Sequence, residues 1–212
     1  MVYLLDRTMC IEPTNPLLLR QLQRVTGEGR VLEKVVRWHD FVRDSIAYDP
    51  YAISFDPDHL RASRTLENGR GHCIHKSIVF VSGCRALGVP AKLGLAKVRN
   101  HLGTGKLQER LGTDILTPHG YAQVQIEERW VKCSPVFNLE LCEHLQVKPL
   151  LWDGRSDSLF QQQTANGHRF MEYLEDYGVF DSVPVPFIAD VMRREYPQMF
   201  DADGRFMKEK LS

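Results

Sequence analysis

Asn68-Gly69-Arg70-Gly71-His72-Cys73-Ile74-His75-Lys76-Ser77-Ile78-Val79-Phe80-Val81-Ser82-Gly83-Cys84-Arg85-Ala86-Leu87-Gly88-Val89-Pro90 opens on glycines and closes on a glycine and a proline. Between those ends Ile74, Ile78, Val81 and Cys84 recur at the spacing of one helical face, which predicts a helix beginning near Cys73 and stopping at Leu87-Gly88-Val89-Pro90. Cys73 then sits in the first turn, where unpaired backbone N–H groups and the positive end of the helix dipole favour thiolate over thiol. Such a position lowers a thiol pKa from about 8.5 into the range of roughly 3.5 to 7.5. The same N–H groups, that of Cys73 included, are placed to hold the oxyanion formed when a thiolate attacks a carbonyl. Cys84 falls on the apolar stripe and reads as core, while His75 and Lys76 are expected on the exposed side of the first turn.

Beyond Pro90 the pattern changes to period two. Leu93, Leu95 and Val98 predict one strand, and Ala122, Val124 and Ile126 alternate with Tyr121, Gln123 and Gln125 in a second. A turn at Glu127-Glu128 leads to a third strand from Arg129 to Ser134, pairing with the second as a hairpin. His119 heads the second strand, so a strand end brings an imidazole, the side chain suited to act as a base near neutral pH, towards the helix start. The long segment from Arg99 to Pro118, with its Gly103-Thr104-Gly105 tip and a helical turn near Lys106 to Leu111, has the length of a lid over a cleft, a disordered insertion or an ordinary exposed loop.

Upstream, Thr14-Asn15-Pro16 starts a helix that ends near Gly27-Glu28-Gly29. A second helix, Arg30 to Ala47, carries Val31, Val35, Trp38, Val42 and Ile46 as a buried stripe and stops at Asp49-Pro50. Downstream of Pro135, short apolar groups broken by glycine and proline predict a mostly irregular wrap ending in a helix near Pro186 to Tyr196. In that wrap Glu172, Glu175 and Asp176 read as a solvated face.

The 212 residues hold 27 Lys plus Arg against 27 Asp plus Glu. A formal charge of zero argues against nucleic-acid or anionic-membrane partners, both of which need a basic excess. The apolar stretches are too short to span a bilayer, and the start Met1-Val2-Tyr3-Leu4-Leu5-Asp6-Arg7 lacks a leader pattern, so the expected location is cytoplasmic. Five cysteines, Cys10, Cys73, Cys84, Cys133 and Cys142, are odd in number and lack a CxxC, which fits free thiols. His72, Cys73, His75, His119 and Cys133 are residue types zinc prefers, yet no HExxH or CxxC brings two to one side; neither a metal nor a cofactor is expected.

The run Gly71-His72-Cys73, then Arg85-Ala86-Leu87-Gly88-Val89-Pro90-Ala91, then His119-Gly120-Tyr121, then Arg129-Trp130-Val131 resembles the transglutaminase-like superfamily of cysteine enzymes over roughly residues 30 to 138. The resemblance implies an α+β fold with a papain-like core, a Cys-bearing helix packed on an antiparallel β-sheet. It implies one domain over 1–212, with a core of about 30–138 and a C-terminal wrap of about 139–212. It maps Cys73 onto the nucleophile and His119 onto the base. Where the family has Asp before Pro at the end of the Trp-bearing strand, this chain has Ser134 before Pro135. A serine hydroxyl accepts a hydrogen bond but does not offset imidazolium charge, and loss of the Asp in a serine-protease triad lowers turnover by about four orders of magnitude. Asn138 is a second candidate for the third place, since an amide carbonyl accepts from a ring N–H. The implied activity is cysteine-dependent hydrolysis of peptide or amide bonds through a thioester, on a peptide, protein or amide substrate. The alternatives are acyl transfer to an amine, or a catalytically silent domain that binds a peptide or protein.

Overall fold

Asn15 starts the first helix, α1 (Pro16–Thr26): its Oδ1 accepts from the N–H of Leu17 at 2.9 Å, and Pro16 occupies the first turn, where no donor is lost. The structure is a computed structural model and describes residues 8–102 and 105–207. The N-terminal stretch before Thr8 and most of the tip expected at Gly103-Thr104-Gly105 lie outside the described residues. The second helix, α2 (Val31–Ser45), buries Val35, Trp38 and Val42, and Ile46 just beyond it is also buried. Val31, expected in that stripe, is half exposed because it sits on the open first turn. A two-residue strand, β1 (Ala47–Tyr48), runs parallel to β2 (Arg70–Gly71). Between them lies a short helix, α3 (Ala62–Asn68), which periodicity does not announce because it is only seven residues long.

The expected cysteine-bearing helix is α4 (Cys73–Ala86). Every residue from Cys73 to Arg85 is buried, so α4 is a central helix covered on all sides, and burial of each large side chain such as Phe80 or Ile78 contributes about 1.5–3 kcal/mol. This corrects the exposed reading of His75 and Lys76. Lys76 is fully buried, and its Nζ donates to the carbonyl oxygens of Arg43, at 2.8 Å, and Ile46. It thereby satisfies the carbonyl end of α2 and ties that end to the first turn of α4. Removal from water pushes the Lys76 pKa down to about 7.

After Gly88 come β3 (Ala91–Asn100), the short helix α5 (Lys106–Leu111), β4 (Ile115–Ile126), β5 (Arg129–Cys133) and α6 (Leu139–His144). The expected β4–β5 hairpin forms, with Ala122 opposite Cys133 and Val124 opposite Val131. The C-terminal region departs from expectation. Met171–Phe180 is a strand, β6, paired antiparallel with β3, and it completes a sheet in the order β5-β4-β3-β6. The charged run Glu172, Glu175 and Asp176 therefore belongs to an edge strand, where charges blunt an exposed ladder. The last helix, α7 (Val185–Glu195), follows as expected.

One face of the sheet, with Leu93, Leu95, Ala122 and Val124, packs on α4 in the main core. The other carries Tyr121, which is buried against Phe170 and Val98 in a second apolar cluster. Tyr121 lies flat across β3 because Gly94 opposite it has no side chain; a Cβ there would fall 2.1 Å from the ring. Its hydroxyl thus reaches β6 and donates to Asp176 Oδ1 at 2.9 Å, while Lys132 of β5 pairs with Oδ2 at 2.7 Å. Among the described residues no helix is long and apolar enough to cross a membrane.

Candidate active site

Cys73 is the first helical residue of α4, preceded by His72 as N-cap. Gly120 of β4 presses directly on that turn: a Cβ on Gly120 would lie 2.7 Å from Ile74 Cα, 2.8 Å from Ile74 N and 3.0 Å from the Cys73 carbonyl carbon. Glycine is thus a requirement of the contact, and the Gly120 N–H, with those of Ile74 and Cys73, points a donor at the Cys73 sulfur. The sequence places Gly120 beside His119, so the same contact delivers His119 to the helix start. Cys73 and His119 both border one cavity of about 60 Å³ at the start of the helix, room for a few waters.

The cavity is apolar and covered. Leu107 and Leu111 of α5, Ile188 and Met192 of α7, and Tyr48 with Ile53 line it together with Cys73 and His119. No carboxylate borders it among the described residues. Cys73 is 7% exposed and His119 2%. Desolvation therefore outweighs the helix end. Burial pushes the Cys73 thiol up to about 11, although the N–H groups of Gly120, Ile74 and Cys73 itself pull the other way. Burial alone pushes His119 down to about 4. The lowered thiol pKa expected from the dipole is overturned: at neutral pH the resting site holds a thiol and a neutral imidazole. Among the described residues no hydrogen bond joins the sulfur to the His119 ring, which lies tilted against Phe160, 5.4 Å between centroids.

The two candidates for the third place lie differently. Ser134 directly follows β5, the strand paired with β4, and is buried, with its N–H donating to the Ser158 carbonyl at 3.0 Å, and its Oγ has no hydrogen-bond partner among the described residues. Asn138 turns its Oδ1 to the Tyr48 N–H at 3.2 Å and so fixes β1. Neither hydrogen-bonds to His119 among the described residues. Cys10, Cys84, Cys133 and Cys142 are buried free thiols. No group of three or more His, Cys, Asp or Glu side chains is arranged to hold a metal ion among the described residues.

Sequence reasoning passed over two contributors. The covering residues of α7 come from a distant segment and carry no local signal, whereas Leu107 and Leu111 of α5 lie in the long segment whose length suggested a lid. Gly120 had one, since a glycine next to a candidate base inside an alternating strand marks a close backbone approach.

Comparison with known proteins gives the family and the fold. The model of the transglutaminase-like superfamily core matches residues 20–135. The crystal structure of a putative cysteine protease from Cytophaga hutchinsonii superposes with a TM-score of 0.52 at 14% identity, over 88% of this chain and 49% of that one. The chain thus spans about half the length of that protein. A putative protease from Parabacteroides distasonis aligns with a TM-score of 0.41 at 16% identity, over 62% of this chain and 25% of that one. No curated protein matches the chain.

Proposed function

The chain belongs to the transglutaminase-like superfamily, and from that premise we propose that it is a cysteine-dependent hydrolase of peptide or amide bonds acting through a thioester. The observation that carries this reading is the meeting of Cys73 and His119 on one buried cavity at the start of α4, with the Gly120 N–H turned to the sulfur. Cys73 Sγ attacks the carbonyl carbon and passes its proton to His119. His119 returns that proton to the leaving nitrogen as the C–N bond breaks, leaving an acyl group on sulfur. Water then attacks the thioester, giving up a proton to His119, and the released thiolate takes it back as the carboxylic acid departs. Because both groups are neutral at rest, the proton moves during attack rather than before it. An amine in place of water makes the same acyl-enzyme a transamidase.

A second reading, a silent domain that binds a peptide or protein in the cleft, draws on two observations: among the described residues the Ser134 hydroxyl is partnerless, and no carboxylate borders the cavity to stabilise an imidazolium. The experiment is to incubate the protein with a mixture of peptide amides, with and without hydroxylamine, beside Cys73→Ala. Free acids that become hydroxamates when hydroxylamine is present, both lost in Cys73→Ala, support the hydrolase. Peptides that bind without turnover and leave Cys73 unmodified support the silent domain and refute the hydrolase.

A further inference from the structure

His72 is known from the sequence only as the residue before the nucleophile, yet its ring is held in one definite state. Its Nδ1 accepts the backbone N–H of Ile74 at 3.0 Å. An accepting Nδ1 carries no proton, so in the neutral ring the hydrogen resides on Nε2. The ring is also kept neutral, because burial and the neighbouring His75 and His119 all oppose a positive charge on it. His75 lies edge to face at 4.4 Å between centroids. His72 is only 7% exposed and lines the cavity that Cys73 and His119 share; among the described residues no hydrogen bond reaches its Nε2, which is not one of the sealed-in polar atoms without a partner.

Resting on the acyl-transfer reading above, we propose that His72 is a further catalytic residue, whose Nε2–H, with the Cys73 backbone N–H, holds the carbonyl oxygen of the substrate as it becomes an oxyanion. A ring that presents only a donor to the cavity cannot orient His119, because that role requires accepting the ring N–H of His119. It has the right polarity for a developing negative oxygen. Such a donor acts in a dry site without reorganising, and removal of one typically costs about 10²–10³-fold in rate. The arrangement also explains why a histidine stands at an N-cap, where Ser, Thr, Asp or Asn is the common choice: one edge of the ring caps the helix and the other serves the site.

The test separates carbonyl chemistry from thiol chemistry. With p-nitrophenyl acetate, Cys73 sulfur bonds to the acetyl carbon, the C–O bond breaks, p-nitrophenolate leaves and the thiol proton passes to His119. With iodoacetamide, sulfur bonds to a methylene carbon and iodide leaves, so no oxyanion forms. His72→Ser, and independently His72→Asn, keep a side-chain oxygen to cap Ile74 and remove the ring. The expected result, read by mass mapping of Cys73, is acetylation slowed by about 10²–10³-fold with alkylation unchanged. Equal acetylation in variants and parent overturns the proposal, as does an equal fall with both reagents, which would place the effect on the thiol. A parent protein whose Cys73 accepts no acetyl group refutes the hydrolase reading itself, and the donor role with it.

Discussion

Replacing Gly120 by alanine tests the contact on which the site is built. The added Cβ would sit 2.7 Å from Ile74 Cα and 2.8 Å from Ile74 N, whereas ordinary contact begins near 3.4 Å. The obstacles are backbone atoms of a helix buried on every side, so no side chain can swing away, and β4 must part from α4 by roughly 0.7 Å. Overpacking of this kind costs about 1–3 kcal/mol. For a chain of this size that lowers Tm by roughly 2–12 °C. The larger consequence is at the sulfur, because the Gly120 amide and His119 move with the strand. A displacement approaching 1 Å lowers an oriented reaction by about 10²-fold. The assay is acetylation of Cys73 by p-nitrophenyl acetate, measured well below Tm beside calorimetry. Gly167→Ala serves as control: its φ of +80° makes the substitution strained, yet nothing lies within 4 Å of the new Cβ and the cavity lining does not include it. Gly120→Ala is expected to lose the rate and Gly167→Ala to keep it at comparable stability loss. A Gly120→Ala protein with the parent's Tm and acetylation rate would refute the helix–strand contact as the source of the geometry.

Three more predictions follow from the same site. His119 has a folded pKa depressed to about 4 from an ordinary 6.5, so the unfolded chain binds the extra proton and stability falls as pH drops from 6.5 towards 4, by about 1.4 kcal/mol per pH unit from this group. Urea titrations at pH 7 and pH 5 are expected to show a smaller loss in His119→Asn than in the parent, and equal losses would show that His119 is not buried neutral. Cys73 alkylation in the resting protein is expected to be slow at pH 7 and to climb towards pH 11; a plateau below pH 8 would reveal a thiolate that burial has failed to suppress. Ser134→Ala removes a hydroxyl with no partner, so stability should stay within about 1 kcal/mol or rise, and Cys73 acetylation should not change; a large rate loss would instead assign Ser134 to His119.

The elements that sequence made visible are those whose signal is local. Asn15-Pro16 at the start of α1, Gly88 after α4 and the alternation through β4 and β5 each carry their own punctuation, and each appears where expected. The cysteine's place at a helix start was legible for the same reason. Its protonation state was not, because a dipole is a property of one helix, whereas desolvation of Cys73 depends on Leu107, Leu111, Ile188 and Met192 arriving from other segments. His75 and Lys76 were misplaced because an amphipathic reading assumes one wet face, and α4 has none. The strand β6 escaped notice because bulges opposite Leu95/Ala96 and Lys97/Val98 break its period and its edge position tolerates Glu172 and Glu175. Ser134 follows β5 directly, but a sequence does not show that its hydroxyl lacks a partner among the described residues.

The place of β6 determines how the molecule can be divided. The family match ends at Pro135, while the strand that covers the outer ladder of β3 begins at Met171. A fragment cut at the match would keep the helix, Cys73 and His119, yet leave the ten residues Ala91–Asn100 with one whole side of N–H and C=O groups unclaimed. Tyr121 would lose Asp176, and Phe170 would no longer shield the face behind the imidazole-bearing strand. Such a fragment keeps both residues proposed for the reaction, Cys73 and His119, and an open template for recruiting other strands, so it should associate with copies of itself. During synthesis the same logic makes the arrival of β6 the step that seals the sheet.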